Sequence, residues 1–162
     1  MIATSSTLHQ VGVIAYRTAN GKVRVLMMTS RDTGRWIIPK GNIDAGVPPC
    51  EAAKREAYEE AGVKGAITSP IPIGFYTYFK KLASGEARPT RVEVYLLHVT
   101  QQVKKWPERG ERKLCWVSAR KAVGLVEEPG LIPLLLRFRE LEDDLAKPEP
   151  EPSRDSRSER HV

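Results

Sequence analysis

Apolar and polar positions fall into blocks along this chain. Two β-rich apolar runs, "VGVIAYR" and "KVRVLMMT", are separated by "TANG". Asn20-Gly21 suits a turn with positive φ, so the pair predicts a β-hairpin. The polar stretch "SRDTGR" leads to a short apolar run, "WIIP", which Pro39 ends as a strand. "KGNIDAGVPP" reads as a loop, with Pro49 placed at the first turn of a helix. That helix is predicted from about Pro49 to Ala61, with Gly62 as its C-terminal cap.

Further on, "IPIGFYTYF" and "TRVEVYLLHV" predict two strands joined by the polar loop "KKLASGEARP", a connection of the kind that often carries binding residues. "LCWVS" predicts another short strand, and Ser118 is placed to cap a short helix through "ARKAV". Leu131, Leu134, Leu135, Phe138, Leu141 and Leu145 recur every three or four residues, the signature of a helix burying one stripe. Trp36 and Trp116 sit in β-like runs and are expected in the core. After Ala146 the apolar pattern stops. "KPEPEPSRDSRSERHV" is rich in Pro, Ser and charge, so residues 147–162 are expected to be a disordered polar tail and residues 1–146 a single domain.

Composition sharpens this picture at three points. At 162 residues, 41% of them hydrophobic, the chain supports one domain with a sizeable core. No apolar run approaches the ~18 residues needed to span a bilayer. "MIATSSTLHQ" has neither a basic leader nor an apolar core, so the expectation is a cytoplasmic protein without membrane association. Cys50, Cys115, His9, His98 and His161 are scattered and form no ligand spacing, so any metal here must be held by oxygen. The formal charge is +6 although the last twenty residues carry six acidic against four basic side chains, which leaves a basic body suited to anionic partners.

Candidate chemistry concentrates in "REAYEEAG". Residues on an α-helix advance by about 100°, so with Glu56 at zero Glu59 falls near 300° and Glu60 near 40°. The three carboxylates share one face. Ala53, Ala57 and Ala61 form an adjoining stripe of small side chains for close packing on a sheet. Two carboxylates about 6 Å apart repel by roughly 3 kcal/mol at an effective dielectric near 20. The plainer reading of such a cluster is a solvated face, with Arg55 pairing to Glu59 across one turn. The sharper one is that a divalent cation relieves the repulsion, and Mg²⁺, with Mn²⁺ as a substitute, suits hard oxygen ligands.

From Gly41 the chain reads "GNIDAGVPPCEAAKREAYEEAGV", which resembles the Nudix box. Gly41, Arg55, Glu56, Ala57, Glu59, Glu60, Gly62 and Val63 fall on its fixed positions. One position departs: the first glutamate of the box is Val47, and Asp44 and Glu51 are the nearby acids that could take over its support of loop and helix. "GRWIIPKG" and "ERKLCWVSARKA" resemble the diphosphoinositol polyphosphate phosphohydrolase branch and the related diadenosine polyphosphate hydrolases, and the likeness runs from about Gln10 to Leu141.

That resemblance implies an α/β fold, a Nudix-type α/β/α sandwich with a mixed β-sheet. It implies hydrolysis of phosphoanhydride bonds in highly phosphorylated small molecules, diadenosine polyphosphates or diphosphoinositol polyphosphates. It assigns the metal to Glu56, Glu59, Glu60 and the carbonyl of Lys40, and gives Arg55 the task of bracing the glutamates. One of these glutamates, or an acid of a later loop such as Glu108 or Glu111, would act as general base. For substrate phosphates the basic residues Arg31, Arg35 and Lys40, with Arg88, Arg91, Arg112 and Lys113 later, are the candidates, since guanidinium groups suit bidentate phosphate contact. Two other functions compete. Removal of pyrophosphate from RNA 5′ ends fits the basic body but has no RNA-binding motif behind it. A binding domain with catalysis weakened at Val47 would bind phosphate ligands without hydrolysis.

Overall fold

A computed structural model describes residues 6–146, so the expected tail, residues 147–162, lies outside the described part. The elements in chain order are β1 (Leu8–Ala19), β2 (Lys22–Thr29), β3 (Trp36–Ile37), β4 (Lys40–Asn42), α1 (Pro49–Ala61), β5 (Val63–Ile67), β6 (Gly74–Lys81), β7 (Ala87–Gln102), β8 (Leu114–Val117), α2 (Ala119–Leu125) and α3 (Leu131–Leu145).

All the strands join one mixed sheet. Strand β1 lies at its centre, antiparallel to β2 and parallel to β7 from the pair Leu8 and Thr90 to the pair Tyr16 and His98. The predicted hairpin turn forms with Asn20 at φ 53° and Gly21 at φ 73°. Strand pleating then divides β1 between two cores. Val11, Val13 and Ala15 pack beneath α1 with Ala52, Ala53, Ala57 and Ala61. Ile14 and Tyr16 point the other way, into a core closed by Leu131, Leu134, Leu135 and Phe138 of α3. Helices therefore cover both faces, which makes the three-layer α/β/α sandwich.

The capping residues behave as their chemistry dictates. Ser118 accepts a hydrogen bond from the Lys121 amide at 3.1 Å and starts α2. Gly62 ends α1 at φ 68°, and its amide donates to the Tyr58 carbonyl. The Trp106 ring lies against Gly62 so closely that a Cβ there would stand 2.5 Å from ring carbons.

Four expectations are corrected. "KGN" is not loop but the strand β4, hydrogen-bonded to β1 where no apolar alternation could signal it. Strand β5, directly after Gly62, was absent from the predicted elements because "VKGAI" alternates weakly. The loop "KKLASGEARP" shrinks, since Lys80 and Lys81 belong to β6 and Ala87 to Pro89 belong to β7. Trp36 and Trp116 are only partly buried, at the margins of the two cores. Trp116 carries the Arg17 guanidinium 4.1 Å from its ring centroid, an amphipathic use of the indole that pattern alone does not reveal.

Gly62→Ala combines a left-handed backbone with overlap on Trp106, and should cost about 2–4 kcal/mol of unfolding free energy. Urea denaturation checks this, and a change within about 0.5 kcal/mol would contradict the packing described.

Candidate active site

Helix α1 places its alanine stripe on the sheet, and the same rotation brings Glu56, Glu59 and Glu60 to the rim of a cleft of about 490 Å³. Strand β4 forms the facing wall. The Glu56 carboxylate lies on the Gly41 backbone, where a Cβ would stand 2.2 Å from the Glu56 Cδ. No larger residue than glycine fits position 41 while Glu56 keeps this place, which is a steric reason for the glycine that opens the motif.

The three glutamates differ in environment. Glu60 is buried, with 5% of its surface exposed. It shares a side-chain hydrogen bond with Glu56, so one of the two must carry the hydrogen. Desolvation pushes both acids above the usual carboxylate range, Glu60 to about 8, against the opposing pull of the Arg112 guanidinium on Glu60. Glu59 instead turns to the surface, with its carboxylate 4.0 Å from the Arg55 Nε.

Arg112 Nη2 stands 3.5 Å from Glu60 and 3.2 Å from Glu108, and its Nη1 donates to the Thr29 carbonyl at 3.2 Å. Arg31 continues the chain of charges outward, 3.2 Å from Glu108 and 3.6 Å from Glu111. The loop that carries Glu108 is tied to α1 by a hydrogen bond from the Glu108 amide to the Glu59 carbonyl at 3.0 Å. On the opposite wall the Lys40 Nζ donates to the Tyr78 hydroxyl at 3.0 Å, which donates to the Gln10 Oε1 at 2.8 Å, and Gln10 Nε2 donates to Asn42 Oδ1 at 3.2 Å. Burial lowers the Lys40 pKa, and the facing Glu60 charge partly restores it.

Arg55 donates from Nη2 to Asp44 Oδ2 at 2.8 Å. Asp44 thus ties the loop to the helix where Val47, packed at the edge of the core under α1, cannot. Glu51 pairs with Lys54, at 3.8 Å.

Of the basic residues singled out for substrate, Arg31, Lys40 and Arg112 line the cleft, and the other four do not. Arg35 pairs with Glu127 at 3.2 Å. Arg88 donates to Ser6, and Arg91 lies 3.6 Å from the Phe75 ring centroid. Lys113 reaches the Thr29 hydroxyl through its backbone amide. Long-range strand pairing decides which cations converge, and spacing in the chain does not contain it. Gln10, Tyr78, Asp32 and Lys80 also line the cleft and went unnoticed. Gln10 left one signal, a polar residue at the head of an apolar strand that is 4% exposed.

Among the described residues no three acidic, histidine or cysteine side chains stand together as a ready cage for one ion. Glu59, turned toward Arg55, accounts for this departure from the expected three-carboxylate cluster. In kind the donors still suit a hard divalent cation, because a buried Glu60 and a half-buried Glu56, both raised in pKa by desolvation, gain most from added positive charge.

These features belong to a known class of domain. A family model described as the NUDIX domain matches residues 8–138, and the chain belongs to that family. Among curated relatives, Nudix hydrolase 12, mitochondrial, of Arabidopsis thaliana is 33% identical over 127 residues, 76% of this chain and 62% of the relative. Diphosphoinositol polyphosphate phosphohydrolase 3-beta of Homo sapiens is 29% identical over 116 residues, 70% and 66% of the two chains. The chain spans about three fifths of the length of the first of these relatives. In three dimensions the C. elegans Ap4A hydrolase superposes with a TM-score of 0.61 at 23% identity, covering 84% of this chain and 98% of that one, a likeness of fold. The Nudix resemblance carried by Gly41 to Val63 is thereby borne out. Among the described residues no helix is long and apolar enough to cross a membrane.

The raised pKa of Glu60 carries a signed consequence for metal-free protein. Folded Glu60 holds its proton to about pH 8, whereas the unfolded side chain releases it near 4.5. Within that window the native state binds more protons, so stability should fall as pH rises from about 5 to 8. Glu60→Gln should flatten that fall, measured as urea midpoints in chelator across the range, and an equal slope in both proteins would contradict the assignment.

Proposed function

We propose that the chain is a hydrolase of phosphoanhydride bonds in highly phosphorylated small molecules, diadenosine polyphosphates or diphosphoinositol polyphosphates. The observation that carries this reading is the buried Glu60 beside the half-buried Glu56, set in a cleft whose walls also present Arg31, Lys40 and Arg112. Desolvated acids beside converging cations are costly for folding alone and suit chemistry on a polyanion.

Glu56, Glu59, Glu60 and the Lys40 carbonyl would hold Mg²⁺, or Mn²⁺ in its place. When bound, the ion supplies charge that keeps the carboxylates ionised and offsets the negative charge of the phosphates. The chain's own residues do the rest. Lys40, fixed by Tyr78 and Gln10, presents its ammonium to a phosphate oxygen at one wall, and Arg31, more than half exposed, meets the phosphates at the mouth. Arg112 holds Glu60 and Glu108 in place. Glu59 has the more exposed carboxylate of the three, the one that can receive the proton of an attacking water.

Glu59→Gln and Glu60→Gln should each lower kcat at least a hundredfold, roughly the scale of general-base loss, with the fold retained by circular dichroism. Released phosphate and nucleotide are measured with both substrate classes and Mg²⁺. Turnover of neither class by the wild-type protein would overturn the proposed activity. Arg31→Ala should chiefly raise KM, by about tenfold, as expected for loss of one charged contact at the surface.

A further inference from the structure

We propose that the free edge of β6 is a two-fold interface with a second copy of this chain. Strand β6 (Gly74–Lys81) pairs with β7 on one side, and among the described residues no strand pairs with its other side. Phe79 and Phe75 stand on this strand with 73% and 50% of their surfaces exposed. The interface goes beyond the proposed activity and does not depend on it.

The hairpin that joins β6 to β7 fixes which backbone groups are free. The Leu82 amide donates to the Glu86 carbonyl at 2.8 Å and the Gly85 amide donates to the Leu82 carbonyl at 2.9 Å, so the turn closes on a hydrogen-bonded pair. Bonded and non-bonded pairs alternate along an antiparallel ladder. Two residues at a time back from the turn, Lys80 with Arg88, Tyr78 with Thr90 and Tyr76 with Val92 are the bonded pairs. Phe75, Thr77 and Phe79 therefore aim their amides and carbonyls away from β7, and such a row is a template for another strand.

The side chains select what that strand is. Residues 75–79 are Phe-Tyr-Thr-Tyr-Phe, the same sequence in both directions. In an antiparallel pair centred on Thr77, each Phe75 meets Phe79 of the second copy, each Tyr76 meets Tyr78 of the second copy, and the two Thr77 residues face one another. The phenylalanines then meet on one face of the joined sheet and the tyrosines on the other. Aromatic pairs directly opposite across strands are stabilising, and here the register that matches them also satisfies the outward amides and carbonyls of Phe75, Thr77 and Phe79. A foreign peptide would share only the backbone bonds.

Charge permits the same register. Lys80 falls opposite Gly74 and Lys81 opposite Ile73, so no cation faces a cation along the seam. Prolines and lysines ordinarily guard an edge, and here Pro70, Pro72, Lys80 and Lys81 all stand outside the aromatic run. An aromatic side chain has about 150–250 Å² to bury, so at these exposures the two phenylalanines offer about 250 Å² per copy and about 500 Å² in the pair. With the backbone edge added, the area falls short of about 1,200 Å², where specific stable interfaces begin, and the dimer should be weak, with Kd about 10–100 μM. Because the contact is isologous, it closes at two copies.

Sedimentation velocity of the full chain from about 1 μM to about 300 μM tests the interface across the affinity expected of so small a surface. The mass should rise with concentration from 18.1 kDa toward twice that value and no further. Thr77→Lys and Thr77→Glu each set like charges against one another at the two-fold axis, and each protein should stay monomeric, while an equal mixture of the two should restore the dimer. Thr77 and Phe79 are exposed, so these replacements leave the core intact, which circular dichroism checks. Phe79→Ala should weaken association at least about tenfold, as for a residue at the centre of an interface. A wild-type protein that keeps the monomer mass throughout would overturn the proposal. So would a dimer unchanged in the Thr77 variants and in Phe79→Ala, a mixture that stays monomeric, or growth beyond the dimer.

Discussion

The structure turns on a pair of acids held where acids are unfavourable. Glu60 is buried next to Glu56, and among the described residues its ion pair is with Arg112, while Arg55 acts on Glu56. The surroundings are arranged to make this arrangement hold. Gly41 vacates the space that the Glu56 carboxylate occupies, the alanine stripe draws α1 down onto the sheet, and β4 hydrogen-bonds to β1 so that Lys40 faces the pair. Together they place negative charge at low exposure opposite a cation, an arrangement that makes sense for a site that handles other charges.

Around that pair, two walls divide the work. The wall from Glu60 through Arg112, Glu108 and Arg31 is a relay of ion pairs running from the buried acid to the cleft mouth. The wall from Lys40 through Tyr78, Gln10 and Asn42 is a chain of directed hydrogen bonds that draws on β1, β4 and β6. Ion pairs at the mouth are exposed and adaptable, whereas the hydrogen-bonded wall is fixed by three strands. Beyond Tyr78 the surface changes from charged to aromatic.

Much of this was legible in the order of residues because the informative constraints are local. Helical rotation alone puts Glu56, Glu59 and Glu60 on one face and the alanines beside them, and Asn20-Gly21, Gly62 and Ser118 announce their turns and caps. The remainder depends on contacts between distant segments. Gln10 and Tyr78 join Lys40 only because β1 pairs with β4 and β6 pairs with β7. Arg88 and Arg91 looked as suitable for phosphate as Arg112, and the sheet carries them elsewhere. Which acid stands in for Val47 is likewise a matter of three-dimensional placement, since Asp44 accepts from Arg55 eleven residues away. A short polar strand such as β4 carries no hydrophobic signature, so the element that positions Lys40 was the least visible in the chain.

We propose that the Glu56 and Glu60 pair exists to be neutralised by a divalent cation. The most direct measurement is calorimetric titration of Mn²⁺ into the protein at pH 7 in two buffers of different ionisation enthalpy, which reports binding and proton release together. The account predicts uptake of metal accompanied by net release of a proton, with both lost in a Glu56→Gln, Glu60→Gln double variant that remains folded. No uptake, or uptake that releases no proton and survives the double substitution, would contradict it.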